Sequence, residues 1–193
     1  MFTSTESKGC TALRQAVLGL VLFYGLWPFY GAQAKSHFAP TLSIDSMVLQ
    51  RCGIATLKAY HLFTVGHSAL YRPNCAADWR LATEEPRYIE FRYQKEIPAT
   101  AFRESAVAML QRNLKLSEQD QQQLEHFHLA YQDVVAGDVY AISYQPDHGL
   151  ELFLNGNFLS QLKHPALAKN YFAIWLGDHP FDDDLKKNLL GNL

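Results

Sequence analysis

Leu150-Glu-Leu-Phe-Leu-Asn-Gly-Asn-Phe-Leu159 decides the fold of this chain. Asn155-Gly156 sits between two apolar runs, and both central positions of the tightest hairpin turn need positive φ, which Asn and Gly tolerate. Just upstream, Pro146-Asp147-His148-Gly149 is a second turn of the same kind. Residues 138–145, 149–154 and 157–162 are therefore predicted to form a three-stranded antiparallel meander. Downstream, Pro165 suits the first turn of a helix, where no amide donor is needed. Gly177 suits its end. Between them Leu167, Phe172, Ile174, Trp175 and Leu176 make the helix apolar on most sides. Asp182 or Asp183 then caps a last helix that stops at Gly191.

Working back from this block, strands come first. Residues 47–57 and 60–71 are apolar and β-branched enough for adjacent strands, with Lys58-Ala59 near the bend. Residues 73–86 hold Pro73, Asn74, Asp78 and Pro86 and read as a polar connection. In Tyr88-Ile-Glu-Phe-Arg-Tyr93, apolar and charged residues alternate, the mark of a half-buried strand. After Ile97-Pro98 the period changes. Phe102, Ala106, Met109, Leu110 and Leu114 share one helical face. Ser117-Glu-Gln-Asp120 opens another helix with Leu124, Phe127, His128 and Tyr131 inside. Clustered strands and clustered helices mean α+β, with helices laid on one face of an antiparallel sheet. No repeat or low-complexity linker divides the region, so residues 42–193 are expected to form one domain.

The N-terminus carries a different signal. Lys8 and Arg14 precede an apolar stretch from Ala16 to Tyr30, followed by the small-residue motif Ala32-Gln-Ala34. A charged start, a short apolar run and an A-x-A site make residues 1–34 a secretory signal peptide, cut between Ala34 and Lys35. The run is shorter than the roughly 20 residues of a bilayer span. An uncleaved anchor is the other reading, and cleavage leaves no stable span. A periplasmic or secreted location follows.

The whole chain has a formal net charge of −2. No basic cluster or stripe appears, which argues against a nucleic-acid partner. Of three cysteines, Cys52 and Cys75 remain after cleavage. An oxidising compartment permits a bridge between them. Two separate buried thiols are the alternative, because sequence does not show whether their Cα atoms come within about 7 Å. His126 and His128 are two apart and lack the i, i+4 spacing of a helical chelating pair. His61 and His67 lie roughly 20 Å apart along a strand. Asp182-Asp183-Asp184 reads as a helix start favoured by the dipole. Ser68 and Ser143 lack a nucleophile-elbow context. No metal, cofactor or catalytic residue is expected.

The motifs resemble those of the bacterial chalcone isomerase-like proteins. The block from Gly137-Asp138 onward matches best, through Tyr171-Phe-Ala-Ile-Trp-Leu-Gly177 and Leu185-Lys-Lys-Asn-Leu-Leu-Gly191. Leu62-Phe-Thr-Val-Gly-His-Ser-Ala-Leu-Tyr71 and Phe91-Arg-Tyr-Gln-Lys-Glu-Ile97 are similar to two earlier family strands. The resemblance implies an open-faced β-sandwich, a large sheet covered by helices, with a buried apolar pocket. It also implies a test for activity. The plant enzyme cyclises a phenolic chalcone with an Arg on an early core strand, where a cation stabilises developing negative charge. That position falls at Ile54-Ala55 here, and neither carries charge. Arg51 is close, but an odd offset along a strand puts it on the other face. The family's Tyr-Asp in the next strand appears as Gly66-His67. The expectation is a non-catalytic protein binding a small apolar molecule such as a fatty acid. Thr64, Tyr93, Phe102, Met109 and Phe172 are the candidate lining residues, with Tyr140 and Tyr144 as further aromatics near the pocket. The alternative is an intramolecular lyase or isomerase on a phenolic or enone substrate.

Overall fold

The computed structural model describes residues 38–59, 62–76 and 79–191. The expected leader and its expected cleavage site at Ala34–Lys35, together with His61 and Asp78, lie outside the described residues.

Seven strands pair in strict chain order, every pair antiparallel. They are β1 (Thr41–Ile44), β2 (Met47–Ala59), β3 (Phe63–Arg72), β4 (Arg87–Tyr93), β5 (Val139–Gln145), β6 (Gly149–Leu154) and β7 (Asn157–Leu162). Helices α1 (Ala99–Asn113) and α2 (Glu118–His128) fill the connection from β4 to β5. After β7 come α3 (Pro165–Asn170), α4 (Ala173–Leu176) and α5 (Asp183–Leu189). The helices cover one face of the sheet.

Alternation sorts the strand residues. Leu70, Ile89, Phe91, Tyr93, Tyr140, Ile142, Leu150 and Leu152 point inward and join Leu110, Leu124, Phe127, Phe172 and Leu189 of the helical layer in the main core. The opposite face carries a smaller cluster, Phe38, Leu49, Ala69 and Tyr71, backed by Leu42, Ile44 and Tyr88. The C-terminal strands stand where the turns place them: Asn155 and Gly156 have φ of 52° and 77°. Ser117 caps α2 reciprocally with Asp120, and the Asp182 side chain accepts from Leu185 N at 2.7 Å.

Four local readings change. The bend after β2 falls beyond Ala59, because β2 extends through the expected turn. Strand β1 precedes the expected first strand; Asp45, at φ 52°, makes the turn back. The helix expected from Pro165 to Gly177 is two short helices. Ile174 N reaches Tyr171 O and Trp175 N reaches Phe172 O, and these i→i+3 bonds tighten the chain between them. Gly177 is not a left-handed cap, since its φ is −75°. It is there for space: a Cβ would come within 2.5 Å of Asn113 Oδ1 and 2.7 Å of Ala173 O.

A bulge decides which face Arg51 takes. Arg51 pairs with Tyr71 and Gly53 with Leu70, so Cys52 is an extra residue. Arg51 and Ala55 are four apart, yet the extra residue puts them on opposite faces. Arg51 lies on the outer face with Tyr71 and donates to the Phe38 carbonyl. Ala55 points into the main core.

Candidate functional site

Between α1 and the inner face of the sheet lies a slot of about 580 Å³, within the size range of small-molecule sites. Helix α1 supplies one wall. Phe102, Ala106 and Met109 recur at the i, i+4, i+7 spacing of one helical face and line the slot, with Arg112 at the end of the row. Strand residues Leu57, Phe91, Tyr93, Tyr140 and Ile142 form the floor. Ile174, Trp175 and Phe181 close the side towards α4 and α5.

Burial grades this lining. Tyr93, Tyr131, Tyr140, Ile142 and Trp175 are buried, and none is charged. The charged lining residues are Lys58, half-buried, and Glu96 and Arg112, exposed. The interior is therefore apolar and aromatic, and charge is confined to the rim. The aromatic floor is tightly interlocked: Phe102 stacks on Tyr131 at 5.6 Å and meets Tyr140 edge-on at 5.2 Å.

Two of the phenols are held by the protein. Tyr140 Oη donates to Gln132 O at 3.0 Å and accepts from Gln132 N at 2.8 Å. Tyr131 Oη bonds Tyr171 Oη at 3.1 Å, and that hydroxyl bonds His128 Nε2 at 2.9 Å. Burial, reinforced by Tyr131 and Tyr140, holds the Tyr93 phenol well above its ordinary pKa. Burial raises Tyr131 as well. All are neutral at physiological pH, so no phenolate base is available in the slot.

Tyr93, Phe102, Met109 and Tyr140 line the slot, and Thr64 and Phe172 do not. Thr64 pairs with Lys58 while Gly66 pairs with Leu57, so Val65 is an extra residue. Val65 lines the slot and Thr64 is exposed. Phe172 is fully buried at the break between α3 and α4 and packs under the Arg87 guanidinium at 5.2 Å. Trp175, three residues on, takes the lining place. Tyr144 sits outside the slot, on Arg87 at 4.6 Å, and donates to Glu84 Oε2 at 2.8 Å. Leu57, Ile97, Tyr131 and Trp175 escaped the sequence reading. The Phe102–Met109 stripe marked the helical wall, but nothing local marked residues from four other segments.

The inner face also carries two fully buried arginines, Arg72 and Arg87. Trp79 covers both, at 4.8 Å and 5.6 Å. Arg72 pairs with Glu85 at 3.4 Å, and Arg87 donates to Leu81 O at 3.1 Å. Desolvation pulls Arg87 down to about 10, which leaves it protonated. Neither lines the slot. Cys52 and Cys75 are bonded, with Cα atoms 5.1 Å apart, and tie the connection after β3 back to β2. Among the described residues no cluster of His, Cys, Asp and Glu is arranged to hold a metal ion.

The sequence profile of the chalcone isomerase-like family matches residues 32–191. The chain belongs to that family. A solved fatty-acid binding protein from Arabidopsis thaliana shares the fold, with a TM-score of 0.62 at 17% identity, covering 80% of this chain and 91% of that one. No curated protein sequence matches. Of Ile54 and Ala55, where the resemblance puts the plant enzyme's Arg, Ile54 is exposed and Ala55 is buried, and neither carries charge. Arg51 faces away from the slot behind the Cys52 bulge, and Lys58, three residues beyond Ala55, stands half-buried at the rim.

Proposed function

We propose that this protein is an exported, non-catalytic binding protein that holds a small apolar ligand, such as a fatty acid, in the slot beneath α1. The observation that carries this reading is the slot's interior: aromatic, buried and free of charge, with cations only at the rim. Cyclisation of a phenolic substrate needs a group that stabilises developing negative charge, worth about 10²–10³ in rate for a single donor. Ala55 carries no charge, and no buried residue of the slot lining is a cation. The fold shared with a fatty-acid binding protein supports a binding role.

Export rests on the leader sequence and is supported by the Cys52–Cys75 bond, which suits an oxidising compartment. No helix among the described residues is long and apolar enough to cross a membrane.

Native mass spectrometry of the mature protein tests the binding role. A co-purified lipid or acid, released on denaturation, is expected. A protein that emerges empty and takes up no added long-chain acid would overturn the reading. Intact mass tests export separately: the exported form begins at Lys35, and a full-length product confined to membranes would refute it.

A further inference from the structure

Two buried residues that line the slot carry polar atoms without a partner among the described residues. Tyr131 and Tyr140 spend their hydroxyls on Tyr171 and Gln132. Tyr93 has no hydrogen-bond partner among the described residues, although the residue is only 6% exposed and lines the slot. Its hydroxyl is not one of the sealed polar atoms, unlike those of Ser68 and Ser143. The same holds for Trp175. Its indole N–H is unpartnered among the described residues, and it is not sealed as the Trp79 indole is. The Tyr93 ring is fixed by Phe102 at 5.5 Å and Tyr140 at 6.1 Å, so its hydroxyl is presented rather than free to wander. Gly66 lies directly across from it in the sheet and places no side chain beside the ring.

These facts constrain what fills the slot. A pure hydrocarbon would strand a buried O–H and an N–H, and an unmade buried hydrogen bond is costly. A carboxylate on the floor would be a buried charge with no cation beside it, which costs more. An indole N–H only donates, and a phenol donates readily. What fits is an apolar molecule with a neutral oxygen acceptor. We propose that the slot selects a long-chain carbonyl compound (a ketone, an ester or a protonated acid), and that the Tyr93 hydroxyl donates to the carbonyl oxygen. Trp175 offers a second donor on the same interior. This inference rests on the slot being a binding site, and it narrows the ligand class from apolar to apolar with a buried acceptor.

The test uses the folded mature protein and two probes of equal chain length, a methyl ketone and the corresponding alkane. The ketone is expected to bind about three- to tenfold tighter, the range of one neutral hydrogen bond. Tyr93→Phe keeps the ring and removes the donor. It should remove the ketone's advantage, weakening the ketone and, by taking away the stranded O–H, binding the alkane no more weakly than the parent does. A second readout needs no variant. The infrared carbonyl stretch of a bound, ¹³C-labelled ketone should lie below its position in an apolar solvent, and Tyr93→Phe should return it. If both probes bind equally and the stretch is unshifted, the slot still binds apolar molecules but this inference fails. If neither probe binds, the binding role itself fails and takes the inference with it.

Discussion

At the scale of single residues, His128 is placed to make stability depend on pH. It is 2% exposed, and desolvation, with Arg103 adding repulsion, lowers its pKa to about 4. Its ordinary value is 6.5, so above that pH it is neutral both folded and unfolded and costs nothing. As pH falls from 6.5 towards 4, the unfolded chain takes up a proton that the folded one refuses, and stability drops. The loss is complete below the folded value and is on the order of 3 kcal/mol at 1.36 kcal/mol per unit. We expect denaturant titrations of His128→Gln to show a flatter profile between pH 7 and 4.5 than the parent. Parallel profiles would mean that the ring takes up its proton as readily in the folded protein as in the unfolded chain.

A second residue-scale prediction concerns Gly53. A Cβ there would meet Asn188 O at 2.0 Å and Leu189 O at 2.4 Å, both backbone atoms of the last helix. No rotamer relieves a backbone clash, so α5 must shift as a body. Gly53→Ala should cost about 1–3 kcal/mol, read as a lowered urea midpoint at an unchanged slope. Unchanged stability would show that α5 is held less closely to β2 than the structure has it.

At the scale of elements, the disulfide and the two bulges matter most. Cys52 and Cys75 are 23 residues apart in sequence, and their bond spans the turn from β3 into the Trp79-bearing connection. Closing a loop of that size contributes about 3 kcal/mol by restricting the unfolded chain. The denatured, unreduced mature protein should therefore titrate with no free thiol, and Cys52→Ser/Cys75→Ser should unfold at lower urea by about that amount. Two titratable thiols would rule the bond out.

The elements also show what was legible. β5, β6 and β7 were readable because each is bounded by turn residues whose φ the chain chemistry dictates. The helix faces were readable from their period. The bulges were not: inserting Cys52 or Val65 leaves the apolar pattern almost unchanged while reversing the face of everything beyond it. That is why Thr64 read as lining and Val65 did not. The break at Tyr171-Phe172 was hidden for a related reason, since a run apolar on all sides has no period to interrupt. Its cause is tertiary, with Tyr171 anchored to His128 and Tyr131.

For the molecule as a whole, the proposed binding role predicts that occupancy of the slot appears as stability. A ligand at 100 times its Kd adds about 2.7 kcal/mol. Ala106 lines the slot at 5% exposure, so Ala106→Phe pushes a ring into that space. The variant should remain folded, keep its melting temperature within a few degrees, and lose the rise that a bound long-chain carbonyl compound gives the parent. A variant that still gains that rise would place the ligand elsewhere. The slot was only half readable because its walls come from β2, β4, β5, α1 and α4, and convergence of distant segments leaves no local signature. Tyr93, Phe102 and Met109 could be picked out because their own periodicity turns them inward; Trp175 could not.

The contact between α5 and β2 also sets an order of completion. The sheet pairs neighbour with neighbour, so strands can be added as they emerge from the ribosome. Residues 183–191 are different, because they pack on Gly53 and Cys52, more than a hundred residues earlier. Until residues 183–191 are in place, one end of the inner face has no cover, so the sheet and its lid are completed by a contact between an early strand and the last helix of the fold.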